Sequence, residues 1–463
     1  MTSTSNYGKL FRGKQHCMRG DRITILPDSV LIHILSFLPT KYAVRTCILS
    51  TRWKHIWVSV PNLHFFFKDW HCSVFSDFID RVLFFHELPR IQRFSLECAG
   101  VDLNRLNTWV SVAVRRGVQE LCINVQYTSD CIILPPTLFT CTTLVVFKLR
   151  SVVQMKIPGL VRFPNLRVLH VSLQFPFGDM IQKLFCSCPV LEDFSIGGYI
   201  DNSEALAFNI STVALKKLEI DFNEVQGFEF SDNEFVINAP ILEHVTLRDN
   251  YFALYRLKNL SSLFRADIDV GVEVGCTEID GWKERANQVY ELLKGISNVE
   301  YLTLGARTMW ALDYADDNNL PLLLPNITHL KLRVGNSSSW KRLTYLLSCM
   351  PNLENLVLEV SAKKEFELHN HLNLAAEPNW IDPVPEQTPA CLLLHLKEIG
   401  LTGFTSQIYH LNLIKYLLEN AKVLIKMAIS TCNLAVEEDV EFLRHLVTCR
   451  RGALACTIEL SRK

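Results

Sequence analysis

The chain has 463 residues, enough for two or three domains; with 49% of them hydrophobic and 21% charged, a large core is affordable and global disorder is excluded. A net charge of −1 and a pI near 6.9 exclude binding of nucleic acid or a membrane surface through bulk positive charge, and no apolar run reaches membrane-spanning length. The 15 cysteines are odd in number and scattered, and Cys47, Cys122, Cys141 and Cys349 sit among apolar neighbours. No apolar leader is present in MTSTSNYGKLFRGKQHCMRG, so these read as reduced thiols and the expected location is the cytoplasm and/or the nucleus. The sequon Asn209-Ile210-Ser211 then carries no glycan expectation.

Residues 1–20 carry only a light scatter of Lys9, Arg12, Lys14 and Arg19 and read as a disordered tail. In 21–65, Leu26, Val30, Ile34 and Leu38 recur at helical spacing, and Leu31, Leu35 and Phe37 widen the stripe. Pro27 suits the first turn of this helix and Pro39 stops it. Thr40 reads as the N-cap of a second helix carrying Ala43, Val44, Cys47, Ile48 and Leu49. Ser50 or Thr51 caps a third, with Trp53, Ile56 and Trp57 on one side. Three such short helices cannot bury this apolar surface among themselves, so the rest of the chain or a partner must cover part of it.

Leu26-Pro27, Ile34-Leu35-Ser36-Phe37-Leu38-Pro39, Arg45-Thr46, Leu49-Ser50, Arg52-Trp53 and Trp57 resemble, in register, the F-box of the large plant F-box proteins. That resemblance implies a domain that docks on a Skp-type adaptor and, through it, a cullin. It implies adaptor contacts at Leu26, Pro27, Ile34, Leu35, Leu38, Pro39 and Trp53, some of which must also pack the F-box itself.

After the F-box, Phe75, Phe78, Ile79, Val82 and Leu83 fit a helix. A phrase then repeats: apolar, two variable, apolar, one variable, apolar. Copies begin at Ile91, Val118, Leu144, Leu166, Leu191, Leu215 and Leu242, more weakly at Leu263, and again at Val299, Ile327 and Leu353. Their starts are mostly 21 to 28 residues apart, with one gap of 36. A period near 25 is the signature of a leucine-rich-repeat solenoid, because one short strand cannot bury its own apolar row and neighbours must stack. Prolines at Phe163-Pro164-Asn165, Cys188-Pro189-Val190, Ala239-Pro240-Ile241 and Met350-Pro351-Asn352 mark turns into the strands. Met180-Ile181 to Leu184-Phe185 and Leu343 to Leu347 read as helices on the convex side. The usual asparagine after the strand is missing from most copies, so residues 66–360 are expected to form degenerate repeats, similar to those that follow plant F-boxes. A solenoid split at the 36-residue gap, or another α/β arrangement, stays open.

Alternation points Val168, Ser172, Asp221, Thr246 and Thr303 to the concave face, together with the candidate substrate-binding residues His170, Lys217, Glu219, His244, Arg248, Tyr301, His329, Lys331 and Arg333. The alternative is an ordinary solvated face, or one covered by the C-terminal segment.

Residues 361–390, charged and then rich in proline, read as a linker. Cys391 to Ile399 reads as a strand, Leu411 to Leu424 as a helix and Lys422 to Met427 as the entry to another strand. Trp380 with Pro383, Pro389-Ala390-Cys391-Leu392, Tyr416 to Ala421, Leu424 to Met427 and Arg450-Arg451-Gly452 to Ile458 resemble the FBD region of plant F-box/leucine-rich-repeat proteins. Gln407-Ile408-Tyr409-His410 departs from that family's frequent acidic pair. Residues 391–463 are expected to be an α/β cap on the solenoid, completing an α/β chain of F-box, repeats and FBD.

Catalytic motifs do not assemble. Gly8 to Lys14 has phosphate-loop spacing, but Gln15 replaces the Ser or Thr and no strand precedes it. Cys186 and Cys188 lack a second pair, His369 and His371 lack partners at ligand spacing, and Asp313, Asp316 and Asp317 lack the calcium-loop pattern. No metal and no cofactor is expected. The resemblance implies a non-catalytic substrate-recognition subunit of an SCF-type (Skp-cullin-F-box) ubiquitin ligase. The alternatives are a leucine-rich-repeat interaction scaffold without ligase recruitment, and an enzyme whose site is assembled across repeats. The protein target is not readable, and a small-molecule co-ligand stays open.

Overall fold

The computed structural model describes residues 23, 25–67, 72–126, 132–151, 155–174, 178–199, 207–222, 233–250, 253–271, 282–314, 322–334, 340–360, 388–405, 407–431, 442 and 444–462. The expected tail, most of the expected linker, Gly8 to Lys14, Asp316, Asp317, His369 and His371 lie outside the described residues.

The described chain opens with α1 (Asp28–Leu35), α2 (Thr40–Arg45), a 3-10 turn at Thr46–Ile48, and α3 (Trp53–Ile56). Pro27 and Pro39 are the N-cap residues of α1 and α2, since an extended residue with a fixed φ can enter a helix without losing a donor. This corrects the expectation that Thr40 caps α2. Thr40 is the first helical residue, is buried, and its Oγ1 accepts from the backbone N–H of His64 at 2.7 Å. Arg52, and neither Ser50 nor Thr51, precedes α3, and Cys47, Ile48 and Leu49 fall beyond α2. The helices close around Leu31, Leu35, Ala43, Trp53, Ile56 and Val60. Arg52 ties the ends together, donating to Asp28 Oδ1 and to the Leu26 carbonyl, each at 2.5 Å.

The first strand, β1 (Asn62–Phe67), begins inside the expected F-box span, so the sheet begins before residue 66. Each copy of the repeated phrase then supplies a strand that starts at its third residue. These are β2 (Arg93–Cys98), β3 (Glu120–Val125), β4 (Val146–Ser151), β5 (Val168–Gln174), β6 (Asp193–Tyr199) and β7 (Lys217–Phe222). They continue as β8 (His244–Asp249), β9 (Arg265–Val270), β10 (Tyr301–Leu304), β11 (His329–Val334) and β12 (Asn355–Val360). After them come β13 (Glu398–Phe404), β14 (Lys426–Thr431) and β15 (Thr457–Arg462). All pair in parallel, in sequence order, as one 15-stranded sheet, with one continuous core from Leu63 to Cys456. The weak copy at Leu263 is in full register, and Arg265 pairs with Tyr301 across the 36-residue gap. The sheet is therefore not split there.

Helices α4 (Cys72–Phe85), α5 (Leu103–Arg115), α6 (Gly178–Cys186), α7 (Trp282–Gly295), α8 (Ala306–Tyr314) and α9 (Trp340–Cys349) cross between strands. Where helices alone were expected behind the sheet, three repeats use a second parallel sheet instead. Its strands are Ala207–Ser211, Glu234–Asn238 and Leu254–Lys258. The reason is local: these segments bury alternate residues, Phe208 with Ile210 and Phe235 with Ile237, which is strand period and not helix period. Phe208 packs edge-on against Phe185 of α6 at 5.9 Å, so the second sheet continues the helical layer.

At the C-terminus the expected strand at Cys391 is a helix, α10 (Ala390–Leu394), which buries Cys391 and Leu392. The phrase recurs just after α10 as Leu396-Lys397-Glu398-Ile399-Gly400-Leu401, and again as Leu424-Ile425-Lys426-Met427-Ala428-Ile429. The C-terminal region is thus no separate cap. With α11 (Ile408–Asn420) behind it, it forms the last turns of the same solenoid. Gly403 makes the bulge at the end of β13 with φ +80°, and a Cβ there would lie 2.3 Å from the Val360 carbonyl oxygen, so only glycine fits.

His410 on α11 is 2% exposed, and its Nδ1 accepts from the Thr405 backbone N–H at 3.1 Å. Burial pushes its imidazole down to about 4. Below pH 6.5 the unfolded chain takes up a proton that the folded chain refuses until about pH 4. Stability contributed by His410 is therefore present above 6.5 and is lost as the pH falls through that window, by about 3 kcal/mol in all. Urea midpoints at pH 7 and pH 4.5 are expected to differ less in His410→Gln than in the wild type; an unchanged difference would refute the assignment.

Candidate functional site

Two surfaces carry exposed side chains that the fold itself does not use. The first lies on α1 and α2. Helical spacing sends Leu31 and Leu35 inward and leaves Val30, Ile34, Phe37 and Leu38 outward, with Phe37 at 74% exposure. Phe37 packs edge-on against His33 at 4.9 Å, and Ile48 and Leu49 extend the apolar surface past α2. Of the seven residues expected to meet an adaptor, Ile34, Leu38 and Pro27 are exposed, while Leu26 and Pro39 are half-buried. Leu35 and Trp53 are 1% and 6% exposed and fill the F-box core, so their expected direct contact gives way to a packing role.

This surface is held at a set angle to the repeats. His86, at the end of α4, is buried, and its Nε2–H donates to the Val60 carbonyl at 2.9 Å. Arg116 donates to His86 Nδ1 at 3.1 Å and to the carbonyls of His86 and Leu83. The bond from Arg116 to Nδ1 requires neutral imidazole, with its proton on Nε2 for Val60. Burial, offset in part by the Val60 bond and reinforced by Arg116, holds the His86 pKa below its ordinary value.

The second surface is the outward face of the 15-stranded sheet. All nine residues expected there do face out, because the pleat alternates along every strand. The fold joins them to partners that the sequence reading did not name. Asp193 accepts from His170 at 3.0 Å and lies 3.8 Å from Lys217. Burial works to raise its pKa, and His170, Lys217 and Lys148 outweigh burial and hold it low. Arg248 reaches Glu219 (3.4 Å), Asp221 (3.3 Å) and Asp267 (3.5 Å). Arg333 forks onto both oxygens of Asp267 at 3.2 Å, passing over the short Thr303 of the intervening strand. Lys331 pairs with Glu359 at 2.6 Å. Half-exposed pairs of this kind contribute at most about 1 kcal/mol each, so they order the side chains more than they hold the fold.

At the strand entrances the Tyr301 and His329 rings stack at 4.1 Å. Phe264 lies 4.8 Å from Tyr301, Arg265 sits 5.0 Å over its ring, and His244 meets Phe264 edge-on. Phe264 and Arg265 went unnoticed because the weak copy at Leu263 was not followed into its strand. Lys148 and Arg150 of β4 were also missed, although the alternation of their own copy places them outward and exposed. Among the described residues no group of three His, Cys, Asp or Glu side chains is placed to hold a metal ion.

The F-box domain model matches residues 23–65, and the FBD model matches 384–429. A model described as "FBD-associated F-box protein At5g56370, LRR repeats" matches 106–261. The F-box/FBD/LRR-repeat protein At1g13780 of Arabidopsis thaliana is 31% identical over 440 residues, covering 89% of this chain and 91% of that protein. The chain belongs to the F-box/FBD/LRR-repeat family. Two further Arabidopsis thaliana relatives agree. The FBD-associated F-box protein At5g27750 is 30% identical over 89% of this chain and 92% of its own. The F-box/FBD/LRR-repeat protein At2g26030 is 29% identical over 95% and 99%. In this F-box/FBD/LRR-repeat protein the FBD match takes in β13 and four of the six residues of β14, so the FBD is built on the repeat sheet itself. F-box domains generally bind Skp-type adaptors, and the joining of an F-box to repeats suggests a substrate-receptor role.

Proposed function

We propose that this protein is the substrate-recognition subunit of an SCF-type ubiquitin ligase and acts by positioning alone. The observation that carries this reading is the exposed row Val30, Ile34, Phe37 and Leu38 beside an F-box core that is already complete. An apolar row of this kind, left over after the core is filled, fits a covering partner. The Skp-type adaptor would cover it and bring the cullin. The outward sheet face, with its charges and rings already ordered, would hold the protein target. Keeping that target near a ubiquitin-charged enzyme raises its local concentration and needs no catalytic residue in the receptor.

The cysteines support a structural role. Burial pushes the Cys188 thiol up to about 12 and the Cys391 thiol up to about 11, far from the thiolate that a nucleophile requires. We place the protein in the cytoplasm and/or nucleus, where such thiols stay reduced.

The test is capture of purified Skp-type adaptor and cullin by the full-length protein, compared with an Ile34→Asp/Leu38→Asp variant checked for folding by circular dichroism. Capture that only the variant loses supports the reading. A folded wild type that captures none of several adaptors overturns it and leaves a repeat scaffold without ligase recruitment.

A further inference from the structure

A hollow of about 770 Å³ lies on the outward face over β2 to β7. Small side chains (Ser95, Cys122, Ser172, Ser195) and Gly197 leave room there around the longer Lys148, Arg150 and His170 in the same two cross-strand rows. Six adjacent strands make it roughly 24 Å long at the usual strand spacing, the length of about seven extended residues. The shape is a trough and not a pit, which favours a chain over a compact small molecule. The strands beneath are paired on both sides, so an occupant cannot add to the ladder and must be read through side chains.

The trough has an ordered charge pattern. Glu97 stands at one end, and Glu219 and Asp221, engaged by Arg248, stand at the other. Between them lie Lys148 and Arg150, both exposed, and neither has a carboxylate within 4.0 Å among the described residues. This differs from the neighbouring cations, Lys217, Arg248, Lys331 and Arg333, which are all paired across strands. Beside Arg150 on the neighbouring strand, Asn124 Oδ1 is shielded from solvent and has no hydrogen-bond partner among the described residues. Buried polar atoms in native proteins are nearly always satisfied, so an orphan in the trough, beside two cations with no carboxylate in reach among the described residues, points to a polar occupant.

We infer that this trough binds an extended peptide segment of the protein target, with acidic side chains at its centre over Lys148 and Arg150 and neutral residues at its ends. Arg150 offers the fork geometry that grips a carboxylate through two bonds, and Lys148 adds a point charge beside it. Asn124 Oδ1 accepts from a backbone N–H of the peptide. Glu97, Glu219 and Asp221 repel acidic residues at the ends, so the charge order also sets the register. The inference rests on the receptor reading for its target, and the two can fail separately.

The probe is a capped, fluorescein-labelled octapeptide with two central glutamates and Gly/Ser flanks, titrated with full-length protein by fluorescence anisotropy. A matched peptide with two central glutamines is the control. The expected result is binding that weakens with salt, is at least tenfold weaker for the glutamine peptide, and is at least tenfold weaker for a Lys148→Glu/Arg150→Glu variant of unchanged Tm. Equal binding by that variant, or no binding by folded wild type, overturns the inference. Displacement by inorganic phosphate at the concentration at which unlabelled glutamate peptide displaces the probe also overturns it, by assigning the cations to a free anion. Adaptor capture, measured on the same preparations, is expected to be unaffected by Lys148→Glu/Arg150→Glu. Its loss in the wild type would reject the receptor reading while leaving the peptide result to stand or fall by itself.

Discussion

Ile34→Asp/Leu38→Asp is expected to weaken adaptor capture at least about a hundredfold without unfolding the F-box. Both side chains are already half in water, at 43% and 38% exposure, so the unbound protein gives up little when they become polar. In the complex each would place a charge in an apolar contact, and truncating one central anchor of an interface typically costs about 2 kcal/mol. Leu35→Ala provides the contrast. Leu35 is 1% exposed and is one of only a few residues that close the F-box core, so its loss is expected to cost about 2–5 kcal/mol of local stability. Capture lost through Leu35 or Trp53 would therefore report unfolding, and only the outward pair separates binding from folding. Wild-type levels of capture by the folded Ile34→Asp/Leu38→Asp protein would sink the adaptor assignment for this face.

Trp109→Ala is expected to lower stability by about 3–5 kcal/mol, read as a shift of the urea midpoint. Trp109 is 1% exposed on α5, and its Nε1–H donates to Asp80 of α4 at 2.6 Å. Arg105, one turn earlier, pairs with Asp77 and Asp80, so a single side of α5 carries the contact between the two helices. Removing the indole opens a cavity in a part of the solenoid where each repeat is supported only by its neighbours. These repeats adjoin the F-box and carry the β2–β3 end of the trough, so hydrogen exchange of the β1–β3 amides should accelerate before that of β11–β14. Trp109→Phe keeps most of the volume and loses the bond to Asp80, and is expected to cost less. A cost below about 1 kcal/mol for Trp109→Ala would show that α4 and α5 do not depend on this contact.

Much of this architecture was legible in the spacing of apolar residues. Every copy of the phrase from Ile91 to Leu353 is a strand, including the weak one at Leu263, because a parallel strand buried on one face must show that alternation. The same phrase was overlooked at Leu396 and Leu424. There the run Cys391-Leu392-Leu393-Leu394 looks equally apolar, and periodicity over so few residues does not separate helix from strand. The helices behind the sheet were legible where the apolar stretch was long, as at Met180 to Phe185. They were misjudged where Phe208-Asn209-Ile210 and Phe235-Val236-Ile237 alternate.

In the candidate sites the division is sharper. By itself the sequence determined which side chains share a face, since strand and helix periods are local properties of the backbone. It thereby placed Arg248, Tyr301 and Arg333 on one surface and marked the apolar stripe of the F-box. Only the tertiary structure decided which of them have partners. Asp267 lies between Arg248 and Arg333 because four strands, β8 to β11, stack in register across 85 residues (248 to 333). Among the described residues Lys148 and Arg150 have no carboxylate within 4.0 Å, because the strands on either side of β4 present Cys122, Asn124, His170 and Ser172 to them. Likewise Ile34 faces water and Leu35 does not only because α3 packs against one side of α1. Pairing and burial depend on neighbours distant in the chain, and no local period encodes them.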